Sequence, residues 1–343
     1  MIRILLLALI CLLILGILVT GGIFVSRLIR RAFSDTKETS ADTSVSGTES
    51  REEITLPVGP VFSYTAPNQC DGTPLKISKS ETVKTLTDEI DCPLMVLVDA
   101  ESGKIVAEKN GDSIIYPASM TKLMTILVAY EHIEDIDATF RMTNEIIDPL
   151  YLEGLSLAGF LGGEDVVIRD MLYGSALPSG AEASVGLAIA ACGTEAAFVE
   201  KMNERAKSLG MTQTNFENCT GEHHPEHVST LSDIAILMDF VMQDPFLAEV
   251  VSTYQYATKP TSMHPQGMLL TSTVFSRMEG GESLVCTVLG GKTGYTKQAL
   301  QCLVTYAKRN DSDRAFICVT AGGDTKWRPV YDTIHLYQRH TYQ

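Results

Sequence analysis

Three groups of residues in this chain have the types and the order that nucleophilic catalysis needs. Ser119-Met120-Thr121-Lys122 places a hydroxyl and an amine at i and i+3. On a helix those positions are neighbours, so the amine reaches the hydroxyl. It can take the hydroxyl proton once burial or a nearby cation has lowered its pKa. Lys292-Thr293-Gly294 follows Gly290-Gly291 and combines a cation, a hydroxyl and open backbone at a strand edge. Gly294 leaves room for a ligand to approach the main chain. Ser179 stands between Pro178 and Gly180 at the start of a helical run. It is a second hydroxyl able to relay a proton, but Ser179-x-x-Glu182 also reads as a capping box, the commoner use of that spacing. Each group alone recurs by chance.

The elements that must hold these groups are legible in the apolar pattern. Residues 94–99 (LMVLVD) and 104–108 predict two strands joined by a turn at Glu101-Ser102-Gly103. After Pro117 the spacing of Leu123, Leu127 and Tyr130 predicts a helix over 119–131. Residues 167–177 and 181–192 predict two helices divided by Pro178-Ser179-Gly180. Residues 195–209 predict an amphipathic helix stopped by Gly210, and 230–243 another with Thr230 and Asp233 as a capping pair. Then the period changes. Runs at 284–289, 300–306 and 315–320 predict three adjacent antiparallel strands, and 326–339 a closing helix. Strands at both ends with helices between them indicate an α+β domain whose sheet gathers its chain ends.

Order and separation narrow the chemistry. SxxK, then a serine about 60 residues on, then KTG after a further ~110 is the pattern of serine acyl-transferring enzymes that bind penicillin. The surrounding text is YPASMTKLMT, LYGSALPSGAEAS, NERAKSLGMTQTNFEN, HVSTLSD and GGKTGYTKQALQCLV. Over residues 70–340 it resembles the low-molecular-mass penicillin-binding proteins, the serine D-alanyl-D-alanine carboxypeptidases. The resemblance implies a penicillin-recognising transpeptidase/β-lactamase-like fold: a five-stranded antiparallel sheet packed with helices, a helical subregion, and the active site between them. It implies Ser119 as nucleophile, Lys122 as its base and Ser179 as the shuttle that protonates the leaving D-alanine. Lys292, Thr293, Gly294 and Tyr295 would bind substrate. The backbone N–H groups of Ser119 and Tyr295 would form an oxyanion hole, worth ~3–4 kcal/mol per donor. Arg328 would help recognise the terminal carboxylate. The implied partners are peptidoglycan stem peptides ending in D-Ala-D-Ala, with β-lactams as covalent inhibitors, and the implied chemistry uses no cofactor and no metal.

The sequence departs from the family pattern at Ala181, which stands where the second motif usually carries an asparagine. Glu182 could partly substitute for it, although the capping role is favoured. Two rivals follow. A serine β-lactamase needs a deacylating carboxylate, for which Glu217 stands roughly in place; a weakly active or inactive wall-binding module is the other reading of Ala181. His223, His224, Glu226 and His227 (GEHHPEH) lack the HExxH spacing, and Pro225 interrupts a helix, so a plain loop is expected there.

Composition frames the rest. The chain has 343 residues, a formal charge of −15 and 45% apolar residues. That charge argues against gripping nucleic acid through phosphates. Residues 1–33 are expected to form a membrane anchor, because Ile4–Val25 carries no charge and as a helix covers ~33 Å. Arg27, Arg30 and Arg31 after the span lean toward a cytoplasmic C-terminal side. The family works outside the membrane, and that expectation overrides the lean. Residues 34–68 are expected to be a flexible tether, acidic and rich in Ser and Thr, with the catalytic domain at 69–343. Relatives with an added β-rich domain and membrane-binding helix anchor themselves differently; here anchoring would fall to the N-terminal span. The eight cysteines, one of them in that span, leave an odd number for the body, which is no closed disulfide framework. Only Cys70 and Cys92 flank a short enough segment to suggest a pair.

Overall fold

The computed structural model describes residues 70–278 and 285–342; the expected anchor (1–33) and tether (34–68) lie outside them. Among the described residues the central sheet has six strands: β1 (Ser78–Thr85), β2 (Leu94–Asp99), β3 (Lys104–Lys109), β4 (Cys286–Thr296), β5 (Leu300–Arg309) and β6 (Ala315–Gly323). Their order is β1-β3-β2-β6-β5-β4, so the two ends of the domain do meet in one sheet. All neighbours are antiparallel except β1 with β3.

Period-two alternation explains the sheet's position. In β2, Val96 and Val98 enter one core, while Met95 and Leu97 enter a second core on the opposite face. Successive strand side chains point to opposite faces, and a strand covered on both sides reads as an unbroken apolar run. The helices supply the cover: α1 (Lys122–His132), α2 (Asn144–Leu152), α3 (Ile168–Ala176), α4 (Ala181–Cys192), α5 (Glu195–Ser208), α6 (Leu231–Gln243), α7 (Pro245–Ser252), α8 (Phe275–Met278) and α9 (Arg328–His340). α6 lies on the Val96 face against β6, β5 and β2, and α9 on the other, where Leu336 and Tyr337 are fully buried. α1 is the central helix of the helical subregion, packed by α3, α4, α5 and α6, with every residue from Lys122 to Tyr130 buried.

Two expectations are corrected here. The sheet has six strands rather than five, because β1 (SKSETVKT) adds a parallel edge to β3. Its side chains are exposed or half-buried, so no apolar alternation announces it. The run expected to stop near residue 289 continues as β4 through Lys292-Thr293-Gly294 to Thr296, with a bulge between Val288 and Gly290. α7 has a readable start: Asp244 caps it, accepting from the Phe246 and Leu247 amides, with Pro245 in the first turn. Cys70 and Cys92 are free and apart: the Cys70 thiol donates to Asp244, and the Cys92 amide to Asp332.

Candidate active site

Ser119 occupies a tight turn, Ala118–Thr121, that leads directly into α1. The turn is strained at its start, with Ala118 at φ 48°. Lys122 opens α1, and its Nζ donates to Ser119 Oγ at 3.1 Å and to the Thr220 carbonyl at 2.6 Å. It is 2% exposed, and among the described residues no carboxylate lies within ion-pair distance of it. Burial therefore lowers the Lys122 ammonium to about 8, with Cys219, Glu182 and Glu222 pulling weakly the other way. An amine in that state is a usable base at the pH where the protein would work.

The Thr220 carbonyl is aimed by the segment 218–222. Asn218 Oδ1 accepts from the amides of Thr220 at 3.2 Å and Gly221 at 2.8 Å, an Asx turn. Gly221 has φ 83°, and a Cβ there would lie 2.0 Å from the Ala118 carbonyl. Only glycine lets this loop close on the Ser119 turn. Behind it, His227 Nδ1 accepts from the Glu217 amide, so Nε2 carries the proton and donates to Thr121 Oγ1 at 2.8 Å. Burial, reinforced by His224, His223 and Lys122, lowers His227 to about 4. This neutral histidine braces the turn. Glu217 bonds Asn215 at its side chain and does not line the cavity, so it is not placed to deacylate.

The second wall comes from the turn before α4. Ser179 sits at φ 69°, an uncommon conformation for a serine, and its Oγ accepts from Lys292 Nζ at 2.9 Å. Lys292 also donates to the Thr293 carbonyl and is fully buried. Burial, then Lys122 and Arg277, hold its ammonium well below the ordinary lysine range. The capping-box reading of Ser179 and Glu182 is overturned. The cap residue of α4 is Gly180, with no side-chain cap, because the Ser179 hydroxyl is turned to Lys292. Glu182 instead accepts from the amides of Gly159 at 2.8 Å and Phe160 at 3.3 Å. Ala181 is fully buried and is not among the residues that line the cavity.

β4 closes the site. A Cβ on Gly294 would lie 3.0 Å from the Pro117 carbonyl and 3.3 Å from the Ser119 nitrogen, so the strand packs directly on the Ser119 turn. Thr293 Oγ1 bonds Thr273 Oγ1 at 2.7 Å. These groups border a cavity of about 390 Å³, whose lining includes Ser119, Lys122, Ser179, Thr293, Gly294 and Tyr295. Lys292 lies just beneath, reached through Ser179 and Thr293.

The structure does not bring Arg328 to this cavity. It begins α9, with its guanidinium paired to Asp91 and Asp324. The arginine that lines the cavity is Arg277 of α8, half-buried, its pKa lowered by burial and its guanidinium bonded to Gln301 at 3.4 Å. The sequence carried a faint signal for it: Arg277 is the only permanently charged residue between Lys259 and Glu279. The segment 153–156, also on the rim, had no signal at all.

Known proteins share this arrangement. The family model described as D-alanyl-D-alanine carboxypeptidase (peptidase S11) matches residues 79–325. The D-alanyl-D-alanine carboxypeptidase DacF of Bacillus subtilis (strain 168) is 29% identical over 282 residues, covering 78% of this chain and 69% of its own. The D-alanyl-D-alanine carboxypeptidase of Streptomyces sp. (strain K15) is 29% identical over 216 residues, covering 61% of this chain and 73% of its own. A mutant of the Streptomyces K15 DD-transpeptidase superposes with a TM-score of 0.65 at 25% identity, over 73% of this chain and 98% of that one. The family match over residues 79–325, with these relatives and this fold, makes the chain a member of the D-alanyl-D-alanine carboxypeptidase family of serine peptidases.

Proposed function

We propose that the protein removes the terminal D-alanine from peptidoglycan stem pentapeptides through an acyl-enzyme on Ser119. The observation that carries this reading is the buried Lys122 amine, 3.1 Å from Ser119 Oγ and lowered to about 8. Ser119 Oγ attacks the carbonyl of the penultimate D-alanine as its proton passes to neutral Lys122. The oxyanion would develop between the Ser119 and Tyr295 amides, a reading supported by the close packing of Gly294 on the Ser119 turn. As the C–N bond breaks, the proton taken up by Lys122 is relayed through Ser179, whose oxygen is held by Lys292, to the leaving amine, which leaves Lys122 neutral again. Water then hydrolyses the ester with Lys122 again as base, releasing the shortened peptide. Thr293 and Arg277 offer the donors for the terminal carboxylate.

The N-terminal run Ile4–Val25 would anchor the enzyme in the membrane, with the acidic stretch after it as tether and the catalytic domain on the wall side. Among the described residues no single helix is long and apolar enough to cross a membrane.

The test is release of free D-alanine from a stem pentapeptide by the purified protein, with Ser119→Ala as control. Release above that control is expected, and its absence would reject the enzymatic reading. A fluorescent penicillin should leave a persistent label on Ser119; rapid turnover of that label would favour a β-lactamase.

A further inference from the structure

Glu182 is a fully buried carboxylate that the acyl-transfer steps leave without a role. It sits in the first turn of α4, three residues after Ser179. One oxygen takes the Gly159 and Phe160 amides; the other is buried without a hydrogen-bond partner. Beside it, the Ala181 amide donates to the Ser156 carbonyl at 2.8 Å. A Cβ on Gly180 would lie 2.7 Å from Ala158 Cβ, so the two segments are pressed together. Residues 156–160 are thus clamped onto the Ser179 turn, and the rim residues Glu153 to Ser156 lead directly into that clamp.

We infer that Glu182 is a positioning residue, clamping the 153–160 wall onto the Ser179 turn and so fixing the Ser179 hydroxyl beside Lys292. This inference rests on the proposed acylation of Ser119 with Lys122 as base.

The test is the second-order rate constant for Ser119 acylation by a fluorescent penicillin, measured across pH. Glu182→Gln keeps an acceptor for the two amides, so its rate should stay within about threefold of wild type. Glu182→Asp shortens the reach, so its rate should fall by about tenfold at every pH while the shape of the profile is kept. A tenfold loss in cooperatively melting Glu182→Gln protein would overturn the clamp. So would a wild-type rate in Glu182→Asp, which is the decisive measurement should Glu182→Gln fail to fold. Wild-type protein that shows no labelling above Ser119→Ala would overturn the functional reading and this inference together.

Discussion

Two buried lysines with no counter-ion at hydrogen-bond distance are a costly arrangement, and the site is built around that cost. Burial alone disfavours an ammonium, and here it leaves Lys122 at about 8 and Lys292 lower than an ordinary lysine. The sign follows directly. Protonated Lys122 cannot accept the Ser119 proton, so kcat/KM should rise with pH along an acid limb centred near 8 and level above it. Lys122→Arg, which stays charged, should lower the acylation rate by at least ~10³-fold across that range. Rate measurements from pH 6 to 10 check both. At the carboxylate end the structure separates two arginines. Arg277→Ala should lower kcat/KM for the pentapeptide by about 10- to 100-fold, chiefly through KM. Arg328→Ala should leave it within about twofold, because Arg328 is occupied with Asp91 and Asp324 at a distance from the cavity. The contrast shows what sequence could reach. Ser119, Lys122, Ser179, Thr293 and Gly294 were legible because each lies inside a contiguous motif, and the structure brings them to one place. Arg277 was not, because it arrives on a four-residue helix with no pattern around it.

Elements succeed or fail in the sequence for similar reasons. β2 reads as an unbroken apolar run, α5 and α6 carry helical periodicity, and α5 ends where Gly210, at φ 81°, was expected to stop it. β1 was invisible because an edge strand with mostly exposed side chains is defined by backbone pairing alone. The Ser179-x-x-Glu182 spacing misled because local capping chemistry and long-range chemistry use the same residue types. Lys292, 113 positions away, takes the hydroxyl that a cap would have used. The segment 218–222 is a loop whose purpose is equally invisible until it closes on α1. Gly221→Ala puts a methyl 2.0 Å from the Ala118 carbonyl at a φ of 83°. Such a residue is strained by ~1–3 kcal/mol before the clash is counted, so thermal melts should show a loss of at least about 2 kcal/mol. Displacing Thr220 also frees Lys122 from its carbonyl, so the variant that still folds should acylate more slowly even where it is fully native.

For the molecule as a whole, the charge found in the sequence becomes a kinetic statement. The chain carries −15, and residues 1–57 are neutral in sum, so the acidity belongs to the remainder, which contains the described residues. A stem peptide ending in a carboxylate must approach an anionic body and reach the buried Lys292 and the half-buried Arg277, past a rim where the exposed Lys297 is matched by Glu153 and Glu222. Those cations act over the few ångströms of the cavity, while the net charge acts over the Debye length, about 30 Å at 0.01 M salt and 8 Å at 0.15 M. At low ionic strength the long-range repulsion therefore dominates the encounter, and salt removes it before it touches the buried contacts. Raising salt from 0.01 to 0.15 M should increase kcat/KM for the anionic pentapeptide by about twofold or more while leaving kcat unchanged. A substrate amidated at its terminal carboxyl, carrying less negative charge, should show a weaker dependence. A fall in kcat/KM with salt would mean that the Lys292–Arg277 end of the cavity projects its field into solvent. The burial of Lys292 and the half-burial of Arg277 argue against that outcome.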